Sequence, residues 1–294
     1  MRYWLAGLLL IGVWSTTALA INWSVHGLPV PLALVGRFAL AALACWLSLR
    51  VSGRELPMHA AARRAYLVGG LGTSLSMACT YWASRSVSSG TVAVLFGLIP
   101  FSTALFTHWW LHEKPAAREL IGVALGVAGL STIFAHGFGG AALGLAVTLL
   151  AVLLQSAAAV RLKIDSQGLS ALAVNTGALL VCATLTGVFW LLSGAPLPDV
   201  RALPWRAVGA VAYLALVGSA LGFSVYYWMI RECRPAQVAL LSLASPAAAL
   251  WLGKALNAEL VTPAMLAGTA LIIAGLVVHQ LRWRQGGDTP LGLG

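Results

Sequence analysis

Charge is what this chain most conspicuously lacks. Of its 294 residues only 9% are Asp, Glu, Lys or Arg, while 60% are hydrophobic, and the mean hydropathy is +0.89. Eighteen basic and eight acidic side chains cannot clothe a soluble fold of 30.6 kDa, so lipid must cover most of the surface. Enzymes with large aqueous domains are excluded at once. Acids are the scarcest charges: Glu55, Glu113, Glu119, Asp165, Asp199, Glu232, Glu259 and Asp288, all at expected helix ends or in loops. Cysteine is equally thin. Cys45, Cys79, Cys182 and Cys233 show no metal-ligand spacing and read as buried thiols, and no cofactor motif is present. Neither G-x-S-x-G nor H-E-x-x-H occurs, and His108 stands alone in an apolar run, which speaks against an intramembrane enzyme.

What the chain does have is long apolar runs. A helix rising 1.5 Å per residue needs about 20 residues to cross the hydrocarbon core. Ten such runs are expected, at Tyr3–Ile21, Pro31–Leu49, Ala65–Ala83, Thr91–Trp110, Leu120–Ala135, Leu143–Leu162, Leu172–Leu192, Ala207–Met229, Val238–Leu256 and Met265–Leu281. Pro29, Pro115, Pro198, Pro204 and Pro263 punctuate the short connections. Arg2, the run after it and Ala18-Leu19-Ala20 imitate a cleavable signal peptide, but cleavage would strand nine helices, so the segment is read as a membrane helix. The tail 285–294 is expected to be disordered.

The net charge of +10 follows from topology rather than from nucleic acid. With the N-terminus inside, Arg2, Arg50, Arg54, Arg63, Arg64, Lys114, Arg118, Arg161, Lys163, Arg231, Arg234, Arg282 and Arg284 lie on the cytoplasmic side. Only Arg85, Arg201, Arg206 and Lys254 lie on the other. This bias predicts a multi-pass protein of the cytoplasmic (inner) membrane with both termini in the cytoplasm.

The chain also repeats itself. Tyr81-Trp82, Pro100 and Glu113 recur as Tyr227-Trp228, Pro246 and Glu259, each displaced by 146 residues. At the same offset Gly72 meets Gly218, Arg85 meets Arg231, Gly122 meets Gly268, and Ala128-Gly129-Leu130 meets Ala274-Gly275-Leu276. Apolar helices align Leu and Val by chance, but not Tyr-Trp, Arg, Pro, Glu and several Gly together. Five helices per unit is odd, so the second copy must cross the membrane in the opposite sense. The expected fold is an all-α membrane protein of ten transmembrane helices in two inverted five-helix repeats, residues 1–139 and 140–284. That architecture recurs among secondary transporters, with a solute site near the midplane between the halves.

These features resemble the EamA-type branch of the drug/metabolite transporter superfamily. The resemblance is carried by Ile11-Gly12-Val13-Trp14-Ser15 in the first helix, Arg37-Phe38 in the second, a Pro in the fourth helix of each half, and a Glu closing that helix. Within the superfamily, the start of helix 1 is similar to the YddG-type amino acid exporters. The resemblance implies a cavity lined by helices 1, 3, 4, 6, 8 and 9. It implies no cofactor.

The residues themselves suggest what such a cavity would bind. A cationic-drug antiporter needs a buried carboxylate; helix 1 instead offers Trp14, Ser15, Thr16 and Thr17. The expected partner is therefore a neutral or zwitterionic small molecule, held by Trp14, Ser15, Thr17, Arg37, Ser76, Thr80, Tyr81, Gln155, Ser224, Tyr227 and Ser245. Arg37 pairs with a solute carboxylate, snorkels to the headgroups or makes a structural pairing within the protein, the last two being favoured. A hydroxyl in a membrane helix commonly bonds back to the preceding turn, whereas the Gln155 amide needs a partner from another helix or from a ligand. Pro100 and Pro246 are static kinks or hinges. Trp82 and Trp228 are paired gates or interfacial anchors. The glycines of helices 5 and 10 permit close packing or a dimer face, so monomer and homodimer both stay open. The favoured function is export of amino acids, aromatic or neutral, or similar metabolites by alternating access. A broader metabolite or drug carrier, a channel and an intramembrane enzyme are the alternatives.

Overall fold

The computed structural model describes residues 2–111, 117–135, 142–194, 203–232 and 235–280. All of the described secondary structure is helical: α1 (Arg2–Gly27), α2 (Val30–Val51), α3 (Ala60–Ala83), α4 (Ser89–Phe96), α5 (Ile99–Leu111), α6 (Ala117–Ala135), α7 (Ala142–Asp165), α8 (Ala171–Leu192), α9 (Trp205–Tyr213), a π-helical segment (Leu214–Leu221), α10 (Gly222–Glu232), α11 (Pro235–Asn257) and α12 (Pro263–Gln280). Residues α4 to α5 form one interrupted span, and α9 to α10 another, so the ten expected spans are all present. Six described helical stretches are long and apolar enough to cross a membrane, two of them the interrupted spans α4–α5 and α9–α10, and Leu120–Ile133 and Pro263–Val278 are shorter apolar helices. The Cys233 and Glu113 positions and the tail 285–294 lie outside the described residues.

Local chemistry sets the boundaries. The Ser88 and Ser170 hydroxyls accept the amides of Thr91 and Ala173, capping α4 and α8. Pro29 precedes α2, and Pro31 occupies its first turn, where no amide donor is needed. Gly53 and Gly168, both at positive φ, follow the last turns of α2 and α7 and let the chain reverse.

The equivalent prolines behave differently. Pro100 follows a break at Gly97-Leu98 that separates α4 from α5, whereas Pro246 sits inside the continuous α11. A Cβ on Gly97 would lie 3.1 Å from Pro246 Cγ, so the broken point of one half rests against the proline of the other. The third helix of the first half, α3, is uninterrupted, while its mate carries the π segment, which widens the turn and lets the Gly222 amide reach the Val217 carbonyl.

The halves interlock. α6 packs on α12, α3 on α7, α2 on α8 and α1 on α11, each pair drawn from opposite halves. The pairing is two-fold in character, because α1 against α11 is matched by α7 against α4 and α5. α6 and α12 run antiparallel with glycines at the crossing. A Cβ on Gly129 would stand 2.5 Å from the Gly268 carbonyl, and one on Gly275 2.6 Å from the Gly122 carbonyl. Gly122 is the repeat mate of Gly268, and Gly129 of Gly275, so the two contacts are one contact seen twice across a pseudo-two-fold axis. The glycines therefore serve packing between the halves, with backbones in direct contact.

Interior and surface are both apolar, as bilayer solvation demands. One buried cluster joins Leu34, Phe38, Tyr81, Leu179 and Leu214 across the halves, and a second joins Val92, Leu95, Ile133, Leu145 and Ile272. Leu8, Leu71, Leu75, Trp109 and Phe189 remain exposed on the outer surface.

Candidate solute site and gate

Arg37 lies about two turns into α2 and is 3% exposed, so it does not snorkel to the surface. Its Nε donates to Ser219 Oγ (3.1 Å) and its Nη1 to the Tyr81 hydroxyl (3.4 Å), with Met77 Sδ at 3.6 Å. The guanidinium also stands over the Phe38 and Tyr81 rings, at 5.4 and 5.9 Å from their centroids. Ser219 belongs to the π segment, so helices of both halves meet at this cation. None of its described partners carries a negative charge, although a buried guanidinium would ordinarily be paired.

Asn175 on α8 completes the cluster. Its Nδ2 faces the Ser219 carbonyl (3.4 Å), Ser224 Oγ (3.5 Å) and Cys45 Sγ (3.6 Å), and the residue is 4% exposed. Asn175 is absent from the residues expected from the sequence: an amide in an apolar helix is the same signal as Gln155, but α8 is the seventh span, which the family resemblance does not place around the cavity.

The other candidate residues divide by what they touch. Ser15 is buried and donates to the Ile11 carbonyl (2.6 Å) and, across the halves, to that of Ser245 (3.2 Å), the residue before Pro246. Ser156 makes the corresponding contact with Ile99, the residue before Pro100, at 3.5 Å. Pro100 and Pro246 are thus each touched at the preceding carbonyl by the opposite half. Ser76 donates to the Ala151 carbonyl (2.8 Å) and joins α3 to α7. Thr17, Thr80 and Ser224 bond back to Val13, Ser76 and Ala220. Trp14 packs edge-on against Tyr226 at 5.1 Å, next to Leu10 and Trp228. Trp82, the repeat mate of Trp228, is 42% exposed, so the pair do not share an environment. Gln155 Oε1 is sealed with no described partner. The Tyr227 side chain lies outside the described residues.

A second polar cluster sits where α1 and α11 end and α4 begins. Glu259 Oε1 accepts from the Ser89 amide (3.0 Å), the Ser89 hydroxyl (2.6 Å) and Asn257 Nδ2 (3.0 Å), while Oε2 accepts from the Gly90 amide (3.0 Å). With Ser88 holding the Thr91 amide, the first turn of α4 is satisfied, and the carboxylate rests on the positive end of the helix dipole. Asn257 also donates to Asn22 Oδ1 (3.2 Å) and accepts from Trp23 Nε1 (3.0 Å), and Asn22 donates to the Ser84 carbonyl (3.2 Å). The Arg206 guanidinium lies 4.1 Å from the Trp23 ring centroid. The loop that delivers Glu259 contains Ala258 at φ 51°, a left-handed conformation costly for a residue with a Cβ. Hydrogen bonds thereby link α1, α4, α11 and the end of α3 at this end of the bundle, and Arg206 of α9 joins them through the Leu256 carbonyl (3.4 Å) and the Trp23 ring. At the other end of α7, Asp165 is held by Arg161 (2.9 Å) on its own helix and Arg64 (3.1 Å) on α3.

Ten helical spans in two interlocked, oppositely running halves, with polar groups gathered between them, have the build of a membrane transporter. The family model described as the EamA-like transporter family matches residues 2–135 and again 142–279, and the chain belongs to that family. It is 24% identical over 275 residues to the uncharacterized transporter YoaV of Bacillus subtilis (strain 168), covering 91% of this chain and 92% of that protein. It is 26% identical over 275 residues to the uncharacterized inner membrane transporter YedA of Escherichia coli (strain K12), covering 92% and 87%. It is 28% identical over 293 residues to a probable terminal-alkyne amino-acid exporter of Streptantibioticus cattleyicolor, covering 92% and 93%. A solved crystal structure shares the fold, with a TM-score of 0.72 at 18% identity over 97% of this chain and 99% of that one. The protein is a transporter and not an enzyme.

Proposed function

We propose that this transporter exports amino acids, aromatic or neutral, or closely similar zwitterionic metabolites across the cytoplasmic membrane by alternating access. Residues 1–139 and 140–284 act as its two repeats, and both termini face the cytoplasm. The observation that carries the reading is Arg37: a cation 3% exposed, bonded only to neutral described groups from both halves, suits a solute that brings its own carboxylate. The amino-acid exporter among the relatives agrees with this substrate class. In this orientation the end tied by Glu259 is the external end, so the geometry corresponds to an externally closed state. Counterflow into proteoliposomes tests the reading. Labelled Phe, Trp, Thr or Met should exchange saturably with unlabelled solute, and a lipophilic cation should not. Transport of the cation without any amino acid would overturn it, and flux linear in concentration would make the protein a channel.

A further inference from the structure

Two polar atoms beside Ser219 are left over once the cluster's hydrogen bonds are assigned. Arg37 Nη2 and Asn175 Oδ1 have no hydrogen-bond partner among the described residues. One is a charged donor and the other a neutral acceptor. We propose that they are the two poles of a zwitterion site, with Arg37 taking the carboxylate and Asn175 Oδ1 the ammonium of an α-amino acid. This deepens the export reading and rests on it.

The orientation of the Asn175 amide is fixed by chemistry. A backbone carbonyl can only accept, so the amide nitrogen must face the Ser219 oxygen, and Oδ1 must turn away from it. Both side chains converge on one residue: Arg37 Nε donates to the Ser219 hydroxyl (3.1 Å) and Asn175 Nδ2 to the Ser219 carbonyl (3.4 Å). The carboxylate and ammonium of an α-amino acid are joined through a single carbon, so its two partners must come from neighbouring side chains. A neutral acceptor also suits the position better than an acid. A carboxylate at 175 would pair with Arg37 in the empty site and compete with the solute, whereas an amide leaves the guanidinium available. The two side chains come from α2 and α8, which pack against each other across the halves, and Ser219 lies in the π segment, where the widened turn perturbs the regular backbone ladder.

The test compares each amino acid with the acid that lacks its amino group. L-Phe and 3-phenylpropanoate, and L-Met and 4-(methylthio)butanoate, are measured as competitors of counterflow in proteoliposomes bearing wild-type protein, Asn175→Leu, Asn175→Ala and Arg37→Met. In wild type the amino acid should win by about tenfold or more, the factor expected from one hydrogen bond to a charged group. Asn175→Leu should bring the amino acid down to the level of its deaminated analogue and leave the analogue unchanged. Asn175→Ala carries the same expectation if the leucine variant does not assemble. Arg37→Met should weaken both members of each pair. Equal weakening of both members in the Asn175 variants, or an unchanged ratio, overturns the ammonium role while leaving Arg37 and amino-acid export standing. Failure of every amino acid to compete in wild type overturns the export reading itself, and this proposal with it.

Discussion

Glu259 reaches across 170 residues of sequence to Ser89, accepting both its amide and its hydroxyl on one carboxylate oxygen. The contact joins the loop between α11 and α12 of one half to the first turn of α4 in the other, at the end of the bundle where Asn22, Trp23 and Asn257 converge. Opening that end requires the carboxylate to leave the helix terminus. Glu113, its repeat mate, has the same place in the first half of the sequence, so a carrier that exchanges the shapes of its halves has an equivalent acid available for the opposite mouth.

Glu259→Gln should loosen the closed end. The amide nitrogen would face the donors of α4, and the loss of charge-assisted bonds should cost about 1–3 kcal/mol. The population then shifts toward states open at that end. A cysteine placed at Ser84, buried in wild type, reports the change. In a background without native cysteines, labelling by an impermeant maleimide added outside should rise several-fold. Unchanged labelling would remove the gate assignment.

Ala258→Gly should act in the other direction. Glycine adopts φ 51° without the Cβ clash, so the loop that presents Glu259 is relieved of about 1 kcal/mol of strain. The expected result is a small rise in Tm with slower opening of the labelled end. A lower Tm would mean that the alanine methyl contributes more through packing than it costs through strain.

Gly129→Ala places a methyl 2.5 Å from the Gly268 carbonyl and 2.9 Å from Ile272 Cγ1, which forces α6 and α12 apart. Overpacking of this kind costs roughly 1–3 kcal/mol. Gly209→Ala, on an exposed turn of α9 with nothing within 4 Å, is the matched control and should stabilise by about 0.5 kcal/mol through helix propensity. Thermal unfolding in detergent compares them. Equal shifts in the two variants would contradict the tight crossing.

Arg37→Met separates a binding role from a structural one. Replacing a buried cation whose described partners are all neutral with an apolar chain of similar length should leave Tm unchanged or raise it, because the burial cost of the charge disappears. Counterflow of carboxylate solutes should nevertheless fall by about a hundredfold, and Arg37→Lys should recover only part of it, since an ammonium cannot hold Ser219 and a carboxylate in one plane. A collapse in Tm with normal transport by the surviving protein would show that the arginine is scaffold.

The span count and the duplication were legible because bilayer thickness dictates helix length and because Gly, Pro, Arg and Glu do not align by chance. The breaks were only half legible. Pro100 marks a broken helix, but the equivalent Pro246 does not, and the π segment Leu214–Leu221 is an apolar stretch without proline. The residues before the two prolines differ, because Gly97-Leu98 at the break is matched by Leu243-Ala244 in the continuous helix, and a glycine loosens a helix where a leucine holds it. Burial removed only the snorkelling alternative for Arg37: its partner Ser219 is 182 positions distant, and no local pattern could reveal it. Asn175 went unnoticed although its residue type was signal enough, because family-level expectations about lining helices outweighed the cost of burying an amide in an apolar span.

The glycine crossing of α6 and α12 also constrains how the gene can change. While the two halves were one repeated unit, any side chain introduced at the crossing would have entered it from both sides at once. After duplication each glycine became separately mutable, yet each still faces its mate's neighbour across the axis. Variation should therefore gather in the solute cluster, where the halves already differ, while the crossing holds them to a common ancestor.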